Sequence, residues 1–284
     1  MDMDTEFHAA LAALGWQLDL GADEAIGEQP VNRYVVVPAV AVDEVRVAPR
    51  AAAAVPVGRA GDGDALRVAQ AAAAAVGGAG DGRDAVRVAQ AAAAAAHDLA
   101  ALRDALAGYD HCELKKGAKT LVFADGNPRA RVLVLGEAPG RDEEMEGRPF
   151  VGRAGRLLDQ MFAAIGLARG DPDPARALYL TNVLPWRPPQ NREPTPQEMA
   201  MLLPFVERHI ALVDPAVIVV MGKAPLQALL GTSAISRLRG QWAQALGKPV
   251  LPMVHPDFLL RTPQAKREAW ADLLTLQARL RAMP

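Results

Sequence analysis

The chain has 284 residues, 51% of them apolar, which suffices for one large domain or for a domain with an extension. No apolar run approaches the roughly 20 residues of a membrane span, and the acidic residues 1–4 lack the basic region and apolar core of a secretion signal. The single cysteine, Cys112, excludes an internal disulfide and cannot alone form a cysteine-based metal site. We therefore expect a cytoplasmic protein with no membrane partner.

The net charge of −2 hides an asymmetry between two parts of the chain. Residues 1–109 hold 8 of the 31 basic side chains and 15 of the 33 acidic ones, so residues 110–284 hold the other 23 and 18. The second part is therefore basic and rich in arginine, a residue suited to bidentate phosphate contacts. This balance indicates an anionic partner, although a solvated basic surface explains it equally well.

Residues 1–109 are predicted to form an acidic, alanine-rich and partly helical N-terminal extension. A segment at 60–75 recurs with one inserted residue at 79–95, and two copies are too few for a solenoid. The second copy is predicted to continue as a helix that ends at Gly108. Because alanine tracts offer little surface for packing, we expect residues 31–85 to be poorly ordered.

Residues 110–284 alternate between strand and helix patterns and are predicted to form one folded domain. Short apolar runs predict four buried strands, with a shorter candidate at 120–123 followed by a turn at 125–128. The four strands are 132–135, 178–181, 217–221 and 250–254. Helical spacing and helix-start signals predict helices at 155–165, 195–213, 222–230 and 263–282. This alternation predicts a three-layer α/β/α sandwich with a central, four-stranded, mostly parallel sheet.

Three reactive side chains follow three different predicted strands: Glu137, Asn182 and His255. Chemistry in open α/β sheets collects beyond the carboxyl ends of the strands, so we expect one site if these strands are neighbours. Each residue has a simpler interpretation. Asn182 or Glu137 could cap a turn, and His255 could be a strand-end histidine with its hydrogen bonds satisfied.

Six stretches of the second part are similar to the motifs of one known family and occur in that family's order with similar spacing. They are GEAPG (136–140), GRPFVGRAGRLL (147–158), LTNVLPWRPPQNREP (180–194), VIVVMG (217–222), RLRGQW (237–242) and HPDFLL (255–260). Together they resemble the uracil-DNA glycosylase superfamily, and within it the family-four, bacterial and archaeal type. The resemblance implies a monomeric, nucleoid-associated DNA repair enzyme. It would hydrolyse the N-glycosidic bond of a uracil flipped out of DNA and leave an abasic site.

The resemblance assigns three residues to the extruded base. Asn182 is expected to read uracil, because an amide can donate to O4 and accept from N3–H at once. Phe150 is expected to stack on the base, although a lone phenylalanine is at least as often ordinary core. His255 is expected to donate to O2 of the departing anion, a contribution that can reach about 3–4 kcal/mol.

Three further residues belong to the GEAPG motif. Glu137 is expected either to orient or deprotonate the attacking water or to stabilise the sugar cation electrostatically. Gly136 and Ala138 complete the predicted substrate-binding set. Ala138 stands where family-one enzymes carry an aspartate, and family-four proteins likewise have a small residue there.

Eight residues in three loops are expected to contact DNA that contains uracil or an abasic site. One loop resembles the loop that enters the duplex, another is stiffened by prolines, and the third is a turn that faces the backbone. Each alone would be an ordinary solvated loop. The residues are Gln190, Asn191, Arg192, Arg239, Gly240, Leu259, Leu260 and Arg261.

Family-four enzymes typically hold an iron–sulfur cluster on four cysteines. The positions in register here are Tyr109, Cys112, Trp186 and Leu202. Because cluster ligation needs a set of thiolates, we expect no cluster and no other metal or cofactor. A second departure is Asp257, where serine is usual, which places an extra carboxylate beside His255.

Other functions stay open at this level. The protein could bind uracil or abasic lesions with slow turnover or none, or act on other deaminated bases such as hypoxanthine or xanthine. The three reactive residues together favour hydrolysis, and Asn182 with Phe150 favours a pyrimidine. An unrelated nucleotide-binding enzyme is disfavoured, because GEAPG lacks the Gly-Lys-Ser/Thr of a phosphate-binding loop.

Overall fold

A six-stranded sheet organises residues 81–283, the part of the chain that the computed structural model describes. Its strands are β1 (Ala124–Gly126), β2 (Val132–Gly136), β3 (Leu178–Asn182), β4 (Val217–Met221), β5 (Ala243–Ala245) and β6 (Lys248–Met253). The strand order is β1-β3-β2-β4-β6-β5. The four central strands run parallel, whereas each edge strand is antiparallel to its neighbour.

Ten α-helices and two 3-10 turns surround the sheet within residues 81–283. The first five helices are α1 (Asp81–Ala95), α2 (Leu99–Gly108), α3 (Glu113–Gly117), α4 (Arg141–Glu146) and α5 (Arg153–Ala163). The others are α6 (Pro196–Val213), α7 (Lys223–Leu230), α8 (Ile235–Leu238), α9 (Pro256–Arg261) and α10 (Lys266–Ala282). The 3-10 turns are Pro189–Asn191 and Pro263–Ala265.

The helices cover both faces of the sheet, which confirms the predicted three-layer architecture. Leu133 and Leu135 of β2 pack in a core with residues of α1, α2, α6 and α7. Val132 and Val134 pack on the other face with residues of α5, α9 and α10. Because successive strand residues point to opposite faces, both faces must be apolar, as the unbroken apolar runs indicate.

The predicted number of four strands is wrong, because two antiparallel edge strands of three residues each complete the sheet. Strand β1 lies at Ala124–Gly126, which overlaps the predicted turn rather than the predicted strand at 120–123. It pairs with β3, with Asp125 opposite Leu180. An edge strand needs no continuous apolar run, since only one of its sides is paired and its residues are only half-buried. The hydrophobic pattern therefore could not locate it.

The helix predicted to run from the second repeat copy to Gly108 is divided in two. The Asp98 side chain accepts a hydrogen bond from the Ala101 backbone N–H at 2.7 Å and starts α2. Ala85, Ala89 and Ala93, four residues apart, are buried and share one apolar core with residues of α6.

The proposed boundary at residue 109 stays a prediction. The first repeat copy and most of the segment 31–85 lie outside the described residues. Among the helices of residues 81–283, none combines the length and apolar character that crossing a membrane requires.

Candidate functional site

The carboxyl ends of the central strands form one rim of a cleft. Strands β2 and β3 are neighbours, and Gly136 is paired with Asn182 at the last register position. Glu137 follows β2 directly, whereas His255 lies beyond β6, which β4 separates from β2. Glu137, Asn182, Phe150 and His255 all line the same cleft. The structure therefore brings together the residues predicted for the base pocket.

Gly136 forms the floor on which two of these side chains meet. A Cβ atom at Gly136 would lie 2.4 Å from Oδ1 of Asn182 and 2.4 Å from Cζ of Phe150. Both distances are far below a normal van der Waals contact, so only glycine permits this arrangement. Asn182 is largely buried, with 8% of its surface exposed, and it lines the cleft.

Phe150 is held in a left-handed backbone conformation with φ of 55°, which costs a non-glycine residue roughly 1–2 kcal/mol. Its carbonyl accepts a hydrogen bond from Nη2 of Arg169 at 2.7 Å, and the Pro149 carbonyl accepts one from Nη1 at 3.1 Å. Asp159 and Asp125 fix the guanidinium from the other side, at 2.8 and 3.0 Å. The sequence pattern gave no signal for Arg169, because its partners are far away in the chain.

The Phe150 ring lies against His255, with ring centroids 5.8 Å apart and planes inclined by 25°. Nδ1 of His255 accepts a hydrogen bond from the Asp257 backbone N–H at 3.2 Å, which assigns the imidazole proton to Nε2. Burial lowers the pKa of His255 below its ordinary value of 6.5, against the opposing effects of Glu137 and Asp257. His255 is therefore a neutral donor at pH 7.

Glu137 reaches across to the next helix. Its Oε1 accepts hydrogen bonds from the backbone N–H groups of Lys223, at 2.6 Å, and Ala224, at 3.2 Å. These groups belong to the first turn of α7, where a carboxylate is favoured by the helix dipole. Gly222 permits the contact, because a Cβ there would lie 2.5 Å from Oε1. The carboxylate is thus fixed at the rim of the cleft, beside Ala138.

Glu143 was not predicted as a site residue, yet it joins two loops of the cleft. Its Oε2 accepts from the Gly140 backbone N–H at 3.0 Å. Its Oε1 accepts from the N–H groups of Val151 and Gly152 at 3.1 and 3.0 Å. One carboxylate therefore ties the GEAPG loop to the loop that carries Phe150.

The predicted DNA-contacting loop at 190–192 lies at the cleft but is engaged within the chain. Gln190 and Asn191 both adopt left-handed conformations, with φ of 55° and 54°. Asn191 accepts a hydrogen bond from Nε of Arg187 at 2.9 Å. Arg192 binds both carboxylate oxygens of the buried Glu198, at 2.8 and 2.5 Å. Asn191 and Arg192 line the cleft, whereas Gln190 is exposed beside it.

The other two stretches predicted to contact DNA, 239–240 and 259–261, lie only partly at the cleft. Arg239 donates to Asp272 at 3.1 and 2.6 Å, away from the residues that line the cleft. Leu259 is fully buried in the core under α9. Leu260 and Arg261 line the cleft. The remaining member of the set is Gly240, which has φ of 72° and donates its N–H to the Pro252 carbonyl at 2.9 Å.

Comparison with known proteins identifies the family. The profile described as the uracil DNA glycosylase superfamily matches residues 123–274. The chain is 38% identical over 172 residues to the type-4 uracil-DNA glycosylase of Archaeoglobus fulgidus, covering 57% of this chain and 82% of that protein. It is 39% identical over 153 residues to the type-4 enzyme of Thermotoga maritima, covering 53% and 77%. A type-5 uracil-DNA glycosylase of Thermus thermophilus is 35% identical over 114 residues, covering 37% and 52%.

The chain belongs to the uracil DNA glycosylase superfamily. The type-4 relatives confirm the resemblance to the family-four type that the motifs indicate.

These comparisons contradict the expectation that the protein holds no iron–sulfur cluster, because its relatives are of the type to which the resemblance assigns one. The residues present do not fit a four-thiolate cluster, however. Cys112 is the only cysteine of the chain, and Tyr109, Trp186 and Leu202 are buried in the same apolar core. Residues 81–283 contain no group of three or more His, Cys, Asp or Glu side chains able to hold a metal ion.

Proposed function

We propose that this uracil-DNA glycosylase acts as a monomer on cytoplasmic, nucleoid DNA and hydrolyses the N-glycosidic bond of an extruded uracil, leaving an abasic site. One observation supports this most strongly. Asn182 and Phe150 meet over Gly136, and the Phe150 ring lies against His255 in the same cleft. The residue proposed to recognise the base (Asn182), the ring proposed to stack on it (Phe150) and the proposed hydrogen-bond donor (His255) therefore line the same cleft. The flipped base would fill it, at a cost of a few kcal/mol for unstacking.

Base selection is proposed to depend on the Asn182 amide. Its NH₂ group donates to O4 of uracil, and its Oδ1 accepts from N3–H. Cytosine presents an amino group at position 4 and an unprotonated N3, so both contacts would be repulsive. The burial of Asn182 strengthens this discrimination, because a buried polar group without a partner costs about 1–3 kcal/mol.

Departure of the base is proposed to depend on His255. As the bond from C1′ to N1 breaks, its electron pair moves onto the base and the sugar gains oxocarbenium character. The Nε2–H group of neutral His255 donates to O2 and stabilises the developing anion. The Asp257 N–H group holds the ring in this tautomer through Nδ1, so the donor is aimed before the reaction begins.

Attack by water is proposed to depend on Glu137. Two backbone N–H groups occupy Oε1, and no described group donates a hydrogen bond to Oε2. Oε2 is thus available to orient a water molecule toward C1′ or to accept its proton. The water oxygen bonds to C1′ and loses one proton, and the base leaves as an anion.

The test is excision from labelled single- and double-stranded oligonucleotides that contain uracil, hypoxanthine or xanthine, scored as strand breaks after alkali. We expect cleavage at uracil and a loss of at least about a hundredfold in Asn182→Ala and Asn182→Asp, since aspartate keeps the size but cannot donate to O4. Asn127→Ala is the matched control, because its side chain binds loop carbonyls of Asp171 and Pro172. A stable complex without cleavage would instead indicate a protein that binds lesions without turnover. Cleavage only at hypoxanthine or xanthine would indicate a glycosylase for other deaminated bases.

A further inference from the structure

The arginines at the cleft differ in whether carboxylates neutralise them. Arg192 is bound by Glu198, and Arg261 by Asp257 at 2.9 Å. Arg141 and Arg153 line the same cleft and are exposed. Neither forms an ion pair or a side-chain hydrogen bond with any residue in the described part of the chain. Among the four arginines that line the cleft in residues 81–283, these two are therefore the ones without a carboxylate partner.

Glu143 connects the starts of the two helices that carry these arginines. One oxygen of its carboxylate binds the N–H of Gly140, and the other binds the N–H of Gly152. Arg141 begins α4 directly after Gly140, and Arg153 begins α5 directly after Gly152. The two helix starts are therefore bridged by a single carboxylate group. This link brings two chain positions twelve residues apart, Arg141 and Arg153, to the same wall of the cleft.

We propose that Arg141 and Arg153 bind two phosphates of the DNA strand that enters the cleft. This inference rests on the proposed function only in taking DNA as the occupant. A guanidinium group without an internal partner offers its fork of donors to a phosphate and suits bidentate contact. Asp142 lines the same cleft but forms no ion pair with either arginine among residues 81–283. The neighbouring ion-paired Arg192 must first leave Glu198 to make such a contact.

Binding to a single-stranded oligonucleotide without uracil, measured by fluorescence anisotropy between about 50 and 200 mM salt, tests this. The slope of log affinity against log salt is negative, and each lost phosphate contact reduces its magnitude by about 0.7. We expect the double variant R141Q/R153Q to lower the slope by about 1.4 and the affinity about twentyfold at 0.1 M salt. Arg129→Gln is the control, because Arg129 is exposed before β2, at the opposite end of the sheet.

Two further variants separate charge from folding. Single R141Q and R153Q should each lower the slope by about 0.7, and R141K/R153K should keep most of it, since lysine retains the charge. An unchanged slope in the folded double glutamine variant, or an equal loss in Arg129→Gln, would overturn the proposal. Uracil excision by the wild type is scored separately. A wild type that binds DNA with the full slope but leaves uracil in place contradicts the proposed function and leaves this inference standing.

Discussion

The proposed base pocket and the loops predicted to contact DNA are constructed differently. Gly136 and Asn182 are register partners at the ends of two central parallel strands. Arg192 and Arg239 lie outside the strands and bind carboxylates of the same chain. Sheet register therefore fixes which side chains meet in the pocket. In the loops, the role of a charged side chain depends on whether an internal partner already holds it.

We expect the largest effect on uracil excision from a substitution at Gly136, the floor of the proposed base pocket. In Gly136→Ala the new methyl group would overlap both the Asn182 oxygen and the Phe150 ring. The two side chains must move apart, so we expect uracil excision to fall by at least about a hundredfold, since displacement by 1 Å can cost that much. Single-turnover rates at saturating enzyme measure this. Affinity for uracil-free DNA should stay at the wild-type value, because Gly136 lies against Asn182 and Phe150 in the proposed base pocket and outside the loops proposed to contact the DNA backbone.

Gly108→Ala is the matched control for this substitution. Gly108 ends α2, and no atom lies within 4 Å of the place that a methyl group would take there, so alanine should leave excision unchanged. A Gly136→Ala protein with excision within a few-fold of the wild type would show that the pocket does not depend on close contact over this floor.

The sequence predicted the pocket because its signals are local. Strand ends, the Thr195 capping box and the alternation of strands and helices are each visible within a few residues, and the family resemblance adds roles to Asn182 and His255. The structure has that capping box, with Thr195 accepting from the Glu198 N–H at 3.2 Å and donating its own N–H to Glu198 at 2.8 Å. Such signals depend on residues close together in the chain and so need no tertiary information.

The supports of the pocket could not be predicted in the same way. Arg169 reaches Phe150 from nineteen residues away and Asp125 from forty-four. Glu143 receives three backbone N–H groups from two loops. No periodic pattern marks such contacts, because they depend on how loops fold against each other. The short edge strands were missed for a related reason, since their pairing depends on a neighbour and not on their own apolar residues.

Arg239 provides the next test. Its ion pair with Asp272 indicates that it stabilises the fold, whereas the family resemblance predicts that it contacts DNA. Arg239→Gln leaves the buried Asp272, whose pKa burial raises to about 6 against the effect of Arg239, without its two hydrogen bonds. We expect the free energy of unfolding at neutral pH to fall by about 2 kcal/mol, as for a buried polar group that loses its hydrogen-bond partners. Thermal or denaturant unfolding measures this, and the salt slope of DNA binding should not change.

Arg237→Gln is the control for Arg239, because Arg237 is exposed and precedes it by two positions. It should change stability by less than about 0.5 kcal/mol. The opposite pattern in Arg239→Gln, with normal stability and a salt slope lower by about 0.7, would assign Arg239 to the DNA backbone.

Arg169→Gln tests whether Phe150 is positioned from outside the pocket. The variant loses the donors that hold the carbonyls of Pro149 and Phe150, so the left-handed conformation of Phe150 is no longer favoured. We expect excision to fall about tenfold, which corresponds to about 1.4 kcal/mol, similar to the cost of that conformation. The matched control is Arg176→Gln, because Arg176 is exposed and forms its ion pairs within residues 81–283 with Asp171 and Asp173.

A double-mutant cycle identifies the route of this effect. If Arg169 acts through Phe150, then Arg169→Gln should have little further effect on excision in a Phe150→Ala protein. A further tenfold loss in that background would mean that Arg169 supports the protein in some other way, through Asp159 or Asp125.

The smallest expected effect concerns the pH dependence of excision. Burial lowers the pKa of His255, and the carboxylate of Asp257 opposes that lowering. In Asp257→Asn the opposing charge is gone, so the pKa of His255 falls further and the neutral, Nε2-protonated form persists to lower pH. Protonation at Nδ1 would displace the Asp257 N–H and release the ring, so excision declines as pH falls through this pKa. We therefore expect Asp257→Asn to retain a larger share of its neutral-pH rate at acid pH than the wild type.

Single-turnover rates measured from about pH 8 to about pH 5 decide this. Asp142→Asn is the control, because Asp142 lines the cleft but does not contribute to the shifted pKa of His255. If the loss of rate at acid pH begins at higher pH in Asp257→Asn, or shifts equally in Asp142→Asn, then protonation of His255 does not cause that loss.

Since Asp257 is also the ion-pair partner of Arg261, the same variant frees that arginine. A steeper salt slope of DNA binding in Asp257→Asn would then show that a cleft residue of the loop gains a phosphate contact when its internal partner is removed.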